Sequence, residues 1–160
     1  MILVTVGGQL PFDRLVHTVD RWAMQEQRVD VFAQIGKSES PPNCIPWQYF
    51  LSPSEFRRKA RDAQVIVAHA GMGSILTALE LGKPIVVMPR RAHLGEHRND
   101  HQTATVEHLG RDAGLVVVSN ERELVERLAR LEELPRPTEG ASSEYARLLD
   151  FLGHAIANAG

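Results

Sequence analysis

Apolar residues along this chain come in short unbroken runs, separated by longer stretches in which they recur every three or four positions. Short runs rich in β-branched residues mark parallel strands covered on both faces, and the 3.6-residue rhythm marks helices packed by one face. Residues 2–6 (ILVTV) are the first such run, ended by Gly7 and Gly8. A helix then opens at Pro11 and Phe12, with Phe12, Leu15, Val16, Val19 and Trp22 on its apolar face and Asp13, Arg14 and Asp20 on the wet side. Residues 29–35 read as the second strand, closed by Gly36, and KSESPPN as a surface loop by its Ser, Pro and Asn content. Residues 47–51 are a third, short strand. Ser52 caps the next helix, with Pro53 at its first position and Glu55 completing a capping box.

The most informative stretch runs from position 64 to 102, QVIVAHAGMGSILTALELGKPIVVMPRRAHLGEHRNDHQ. It reads as a strand at 64–68, a turn at 69–73 with two glycines, and a helix at 74–81 stopped by Gly82 and Pro84. A strand at 85–88 and a polar loop follow. Further alternation gives a helix at 99–109, a strand at 115–118, and a helix capped by Ser119 or Asn120 that reaches Leu131. Strands alternating with helices imply a single α/β domain, a Rossmann-like, doubly wound parallel sheet with right-handed crossovers. Its expected extent is residues 1–132, followed by a linker at 133–140 containing Pro135 and Pro137. A C-terminal helix at 141–158 carries a Tyr145, Leu148, Leu149, Leu152 and Ile156 stripe, broad enough to dock on a partner chain.

Bulk composition narrows the function classes. At 160 residues and 43% hydrophobic content the chain can bury a core without disulfides or metals. A net charge of -2 and a pI near 6.4 offer no global attraction to nucleic acid or an anionic membrane. The single Cys44 excludes an intrachain disulfide framework and a CxxC site. Met1 leads straight into a strand and no apolar run approaches the roughly 20 residues that span a bilayer, so the expectation is a cytoplasmic chain.

A glycine turn feeding a helix start aims several unpaired N–H groups one way, with the positive end of the helix dipole behind them. Gly71, Met72, Gly73 and Ser74 therefore suit a diphosphate, although two glycines can also simply admit a close helix. Gln9, beside Gly8 in the first strand-to-helix turn, points to the carboxyl edge of the sheet, where open α/β sheets bind ligands. The alternative for Gln9 is a solvated loop amide. Glu80 lies about one and two-thirds turns beyond Ser74, roughly 9 Å along the helix, a plausible reach from phosphate to ribose. Arg90 and Arg91 are placed to fork onto a phosphate or a sugar carboxylate, or else are solvated. His93, His97 and His101 invite a metal reading, but no compact ligand triad completes it, and no metal is expected. Ser74 has no base and no GxSxG elbow around it, so a nucleophile is not expected either.

His69, the glycine turn, Ser74, Glu80, GKP, Pro89, Asn99 and Gln102, together with the opening VTVGGQLPFDRLVHTVDRW, resemble the donor half of GT-B glycosyltransferases, the family 28 C-terminal domain. Within that group the chain is similar to the small subunits related to the catalytic chain of the dolichol-linked N-acetylglucosaminyltransferase. It is most similar to bacterial exopolysaccharide glucuronosyltransferase subunits. The resemblance spans residues 1 to about 131. It implies a UDP-sugar donor, Glu80 on the ribose hydroxyls, and Phe50 and Leu51 against uracil, Phe50 being otherwise a core residue. It also implies that Asn99, Asp100 and Gln102 face the donor sugar, while His69 either lies near the diphosphate or is held by backbone. A membrane-anchored acceptor-binding subunit and a lipid-linked saccharide acceptor complete the implied system, recruiting this chain to the inner membrane face. Two other readings share the same features: a non-catalytic nucleotide-sugar-binding module, and a fragment of a UDP-sugar epimerase.

Overall fold

The computed structural model describes residues 1–96, 106, 115–137 and 146. Six strands, β1 (Ile2–Thr5), β2 (Val31–Gln34), β3 (Trp47–Gln48), β4 (Val65–His69), β5 (Ile85–Met88) and β6 (Val116–Val117), form one sheet. All pairings are parallel and the spatial order is β3-β2-β1-β4-β5-β6. Among the described residues four α-helices flank it: α1 (Asp13–Gln25), α2 (Pro53–Asp62), α3 (Met72–Glu80) and α4 (Glu121–Leu128). The order in which strands are added reverses between β1 and β4, with β2 and β3 on one side and β5 and β6 on the other, which is the topological switch point of a doubly wound fold.

Alternate residues of the central strands feed two cores. Ile2, Val4 and Val6 pack with Leu15, Val16, Val19 and Trp22 of α1 and with Leu124 and Leu128 of α4. Leu3, Ile66 and Ala68 pack on the other face with Ala60 of α2, Ile75 and Ala78 of α3, and Val106. Each fully buried Val, Leu or Ile contributes about 1.5–3 kcal/mol, so these two layers fix which helix covers which face.

Several boundaries shift from the expected ones for identifiable reasons. Val29 is 93% exposed and lies in the turn before β2 rather than in it. At the sheet edge, carbonyls of Pro46, Gln48 and Tyr49 accept the N–H groups of Ala33, Ile35 and Gly36, and the chain then swings away. Phe50 and Leu51 therefore lie beyond β3, and Phe50, 55% exposed, is not a core residue. Helix α3 begins two residues earlier than the pattern suggests, with Gly71 at its cap, so Met72 and Gly73 form its first turn. The capping box at Ser52 and Glu55 is present, with Pro53 opening α2, and Asn120 caps α4 through the Glu123 N–H. Leu134, inside the expected linker, is buried in the α1-side core. The helix expected at 99–109 and the C-terminal helix with its apolar stripe fall almost entirely outside the described residues. Among the described residues no helix is long and apolar enough to cross a membrane.

Of the residues expected on the wet side of α1, Asp20 is buried and Arg14 is partly so. Asp20 is 5% exposed, and its carboxylate accepts the N–H groups of Asn43, Cys44 and Ile45 at 2.9–3.0 Å. The carboxylate thereby satisfies three loop donors that no strand ladder reaches, which is why a charge is tolerated at the edge of the apolar stripe. Arg14 turns inward to Glu96, making a two-point pair at 2.7 and 2.9 Å, and reaches Glu121 at 3.4 Å. Hydrogen bonding to Glu96 raises the Arg14 guanidinium further above its ordinary range.

Candidate functional site

A cleft of about 530 Å³ opens at the carboxyl ends of β1 and β4. One wall is the first turn of α3 and the loop before it, His69, Gly71, Met72, Gly73 and Ser74, with Thr77 a turn further along. The facing wall is the exit of β1, Gly7, Gly8 and Gln9, and the third is largely apolar, with Leu51, Pro53 and Phe56. Thr5 and Gln34 form the floor, where the Thr5 hydroxyl donates to the Gln34 carboxamide oxygen at 3.1 Å.

The chemistry of this cleft follows from its backbone. The N–H groups of Met72, Gly73 and Ser74 have no intrahelical acceptors, because they open the helix. Gly73 is exposed and a Cβ built on it would meet nothing within 4 Å beyond its own helix turn, and all three residues line the cleft. Gly7 and Gly71 are glycines for a different reason: added Cβ atoms would sit 2.8 Å from His69 Cε1 and 2.1 Å from His69 Nε2 respectively. The His69 ring is thus wedged between the two turns that form opposite walls, and Gly7 also needs its φ of 71°. An anion set against the α3 turn meets the helix dipole and a row of donors, beside a flat apolar wall suited to a ring.

Of the residues nominated from sequence, Gly8, Gln9, Leu51, His69, Gly71, Met72, Gly73 and Ser74 line the cleft together. Phe50 does not line it, but its ring lies over the rim at Gly8, whose added Cβ would stand 3.4 Å from Phe50 Cε1. Glu80 ends α3 outside the lining, and its carboxylate accepts from Arg57 of α2 at 2.8 Å. Asn99, Asp100 and Gln102 lie outside the described residues.

The two arginines correct their expected role. Arg90 is buried, 7% exposed, and its Nη2 donates to the carbonyls of Val6 and Leu10 behind the glycine turn instead of reaching toward a ligand. Burial pushes its guanidinium below the ordinary range. Arg91 donates to the Ser119 carbonyl, and its own N–H goes to Glu96. Among the described residues no cluster of three or more His, Cys, Asp or Glu could hold a metal.

Thr5, Gly7, Gln34, Pro53, Phe56 and Thr77 complete the lining and were not nominated as site residues from sequence. A signal for two of them exists: Thr5 and Gln34 are the lone polar residues at the carboxyl ends of otherwise apolar strands, and β1 and β2 bring them side by side.

Comparison with known proteins agrees with this geometry. The model of the glycosyltransferase family 28 C-terminal domain matches residues 1–147. The UDP-N-acetylglucosamine transferase subunit ALG13 of Yarrowia lipolytica is 25% identical over 88% of this chain and 79% of its own length. A solution structure of ALG13 superposes with a TM-score of 0.64 at 20% identity, over 92% of this chain and 94% of that one. MurG of Acinetobacter baumannii gives a TM-score of 0.57 at 18% identity, over 82% of this chain and 41% of its own. The match extends over most of the described fold and both walls of the cleft, and the chain belongs to the glycosyltransferase family 28 C-terminal domain family.

Proposed function

We propose that this chain is the nucleotide-sugar-binding subunit of a two-chain glycosyltransferase, with a UDP-sugar seated in the cleft between β1 and β4. The observation that carries this reading is the open first turn of α3, whose donors at Met72, Gly73 and Ser74 face the glycine turn of β1. The diphosphate lies against that turn, which stabilises the charge gathering on the leaving UDP as the glycosidic bond breaks. The helix terminus supplies the positive field, so no divalent cation is required. Uracil lies along Leu51, Pro53 and Phe56, with Phe50 closing over the rim. Glu80 takes the ribose hydroxyls by exchanging Arg57; that pair is half exposed, and such pairs contribute only about 0–1 kcal/mol. The choice of UDP is supported by the name of the Yarrowia relative, a UDP-N-acetylglucosamine transferase subunit.

The transferred group in this proposal is a hexosyl unit, glucuronosyl by preference, delivered to a lipid-linked saccharide of exopolysaccharide assembly. The acceptor is held by a membrane-anchored partner chain that recruits this one to the inner membrane face. With Arg90 turned inward, Arg91 is the cation left for a sugar carboxylate, by exchanging its contact with the Ser119 carbonyl.

Calorimetric titration with UDP, UDP-glucuronate, UDP-glucose and UDP-N-acetylglucosamine, each with EDTA and with magnesium, tests both levels. UDP is expected to bind equally in EDTA, and a strict magnesium requirement would end the metal-free reading. UDP-glucuronate is expected to bind more tightly than UDP-glucose, and Arg91→Ala to lower that ratio about tenfold, as a charge-assisted pair implies. An unchanged ratio in Arg91→Ala would remove the acidic-donor assignment while leaving UDP binding intact.

A further inference from the structure

Arg90 is a cation held where a cation is costly. It is 7% exposed, its Nε has no hydrogen-bond partner, and no carboxylate lies within ion-pair distance among the described residues. Glu96 is close enough for its charge to act on Arg90, but its oxygens are hydrogen-bonded to the Arg14 guanidinium and the Arg91 N–H instead. What Arg90 does touch is the backbone of the cleft wall. One amino nitrogen bridges Val6 O at 2.7 Å and Leu10 O at 2.5 Å, the two carbonyls that bracket Gly7, Gly8 and Gln9. The Phe12 ring lies 5.3 Å from its guanidinium carbon and covers it from the α1 side.

A buried, unpaired charge costs several kcal/mol unless something compensates it. Two neutral carbonyls, an aromatic face and the charge of Glu96, which is shared with Arg14, do so only in part, and burial still outweighs them. The remaining compensation can come from the cleft, separated from Arg90 by the thickness of one turn.

We propose that Arg90 is a positioning residue for the donor site: it braces the Gly7–Gln9 turn from behind and supplies, through that turn, positive charge that favours an anion in the cleft. The anion is the diphosphate of the donor, so the inference rests on the UDP-sugar reading, but its chemistry is that of any pyrophosphate group. It gives the cleft two positive sources on opposite walls, the α3 terminus and the braced turn, with the anion between them. In this arrangement Arg90 touches no ligand.

The test is calorimetry on the full chain with three probes, UDP, inorganic pyrophosphate and uridine, in wild type, Arg90→Gln and Arg90→Lys. Arg90→Gln is expected to weaken UDP and pyrophosphate about tenfold, the size expected of one charge lost at short range in partly screened surroundings, and to leave uridine within about twofold. Arg90→Lys keeps the charge without the planar fork and is expected to recover most of that loss. Equal losses for UDP and uridine would show that Arg90 only maintains the shape of the cleft, and would overturn the proposal. So would an unchanged pyrophosphate affinity, or a lysine variant as weak as the glutamine one. Should Arg90→Gln fail to fold, the lysine variant decides alone: pyrophosphate affinity within about threefold of wild type supports the charge, and a tenfold loss contradicts it. A wild-type chain that binds pyrophosphate but not UDP would end the UDP-sugar reading and leave this one standing. UDP binding insensitive to Arg90 would do the reverse, and binding of neither probe would end both.

Discussion

Purified alone and supplied with a UDP-sugar and a lipid-linked acceptor, the chain is expected to bind donor and transfer no sugar. The helix-start donors, glycine turns and apolar wall of the cleft are suited to holding a nucleotide, as proposed above. Transfer needs more than this. An acceptor hydroxyl must lie within hydrogen-bond reach of a base and close to the anomeric carbon, and an error of about 1 Å in that placement can cost on the order of a hundredfold in rate. Among the described residues His69 is the one imidazole in the cleft lining, and it is wedged between Gly7 and Gly71, tight against both walls. In the proposed two-chain enzyme the base and the acceptor come from the partner. A transfer assay with the purified chain decides the matter: background rates alone, restored on adding the partner, fit two subunits, and robust turnover without a second polypeptide contradicts them.

Gly73→Val is expected to lower UDP affinity at least a hundredfold while leaving the fold unharmed. Apart from its own helix turn, a Cβ there meets nothing within 4 Å, so the branched side chain is accommodated, and it is expected to crowd an anion held by the Met72 to Ser74 donors. Helix propensity acts in the same direction as the available space, because Gly is the poorer helix former by a few tenths of a kcal/mol. The melting temperature should therefore hold or rise slightly while binding disappears. Gly71→Val makes the contrast: its Cβ would lie 2.1 Å from His69 Nε2, so that variant should lose stability together with binding. Paired melting curves and UDP titrations check both. A folded Gly73→Val with wild-type affinity would remove the diphosphate from the α3 terminus.

The elements legible in the sequence are those that local chemistry determines. β5 coincides with its apolar run, the Ser52 to Glu55 box marks the start of α2 to the residue, Asn120 is the cap of the two offered for α4, and a glycine-rich helix start follows β4, two residues earlier than the spacing placed it. What was not legible depends on contacts between residues distant in the chain. Arg14 and Asp20 occupy polar positions of a helical wheel, and only the arrival of Glu96 and of the loop at 43–45 draws them inside. Arg90 and Arg91 are alike in sequence, yet one follows β5 inward beneath the β1 turn and the other reaches the Ser119 carbonyl at the exit of β6. Thr5 and Gln34 became a pair only once β1 and β2 were known to be in register.

The most direct test of the donor site is an amide NMR titration of the wild-type chain with UDP in EDTA. The largest shifts are expected at Met72, Gly73 and Ser74 in the α3 turn and at Gly7 and Gly8 across the cleft, with smaller ones at Leu51 and Phe56 along the apolar wall. Shifts that cluster instead between α1 and α4, around Trp22 and Val125, or an absence of any change until magnesium is added, would contradict a UDP-sugar held by the start of α3.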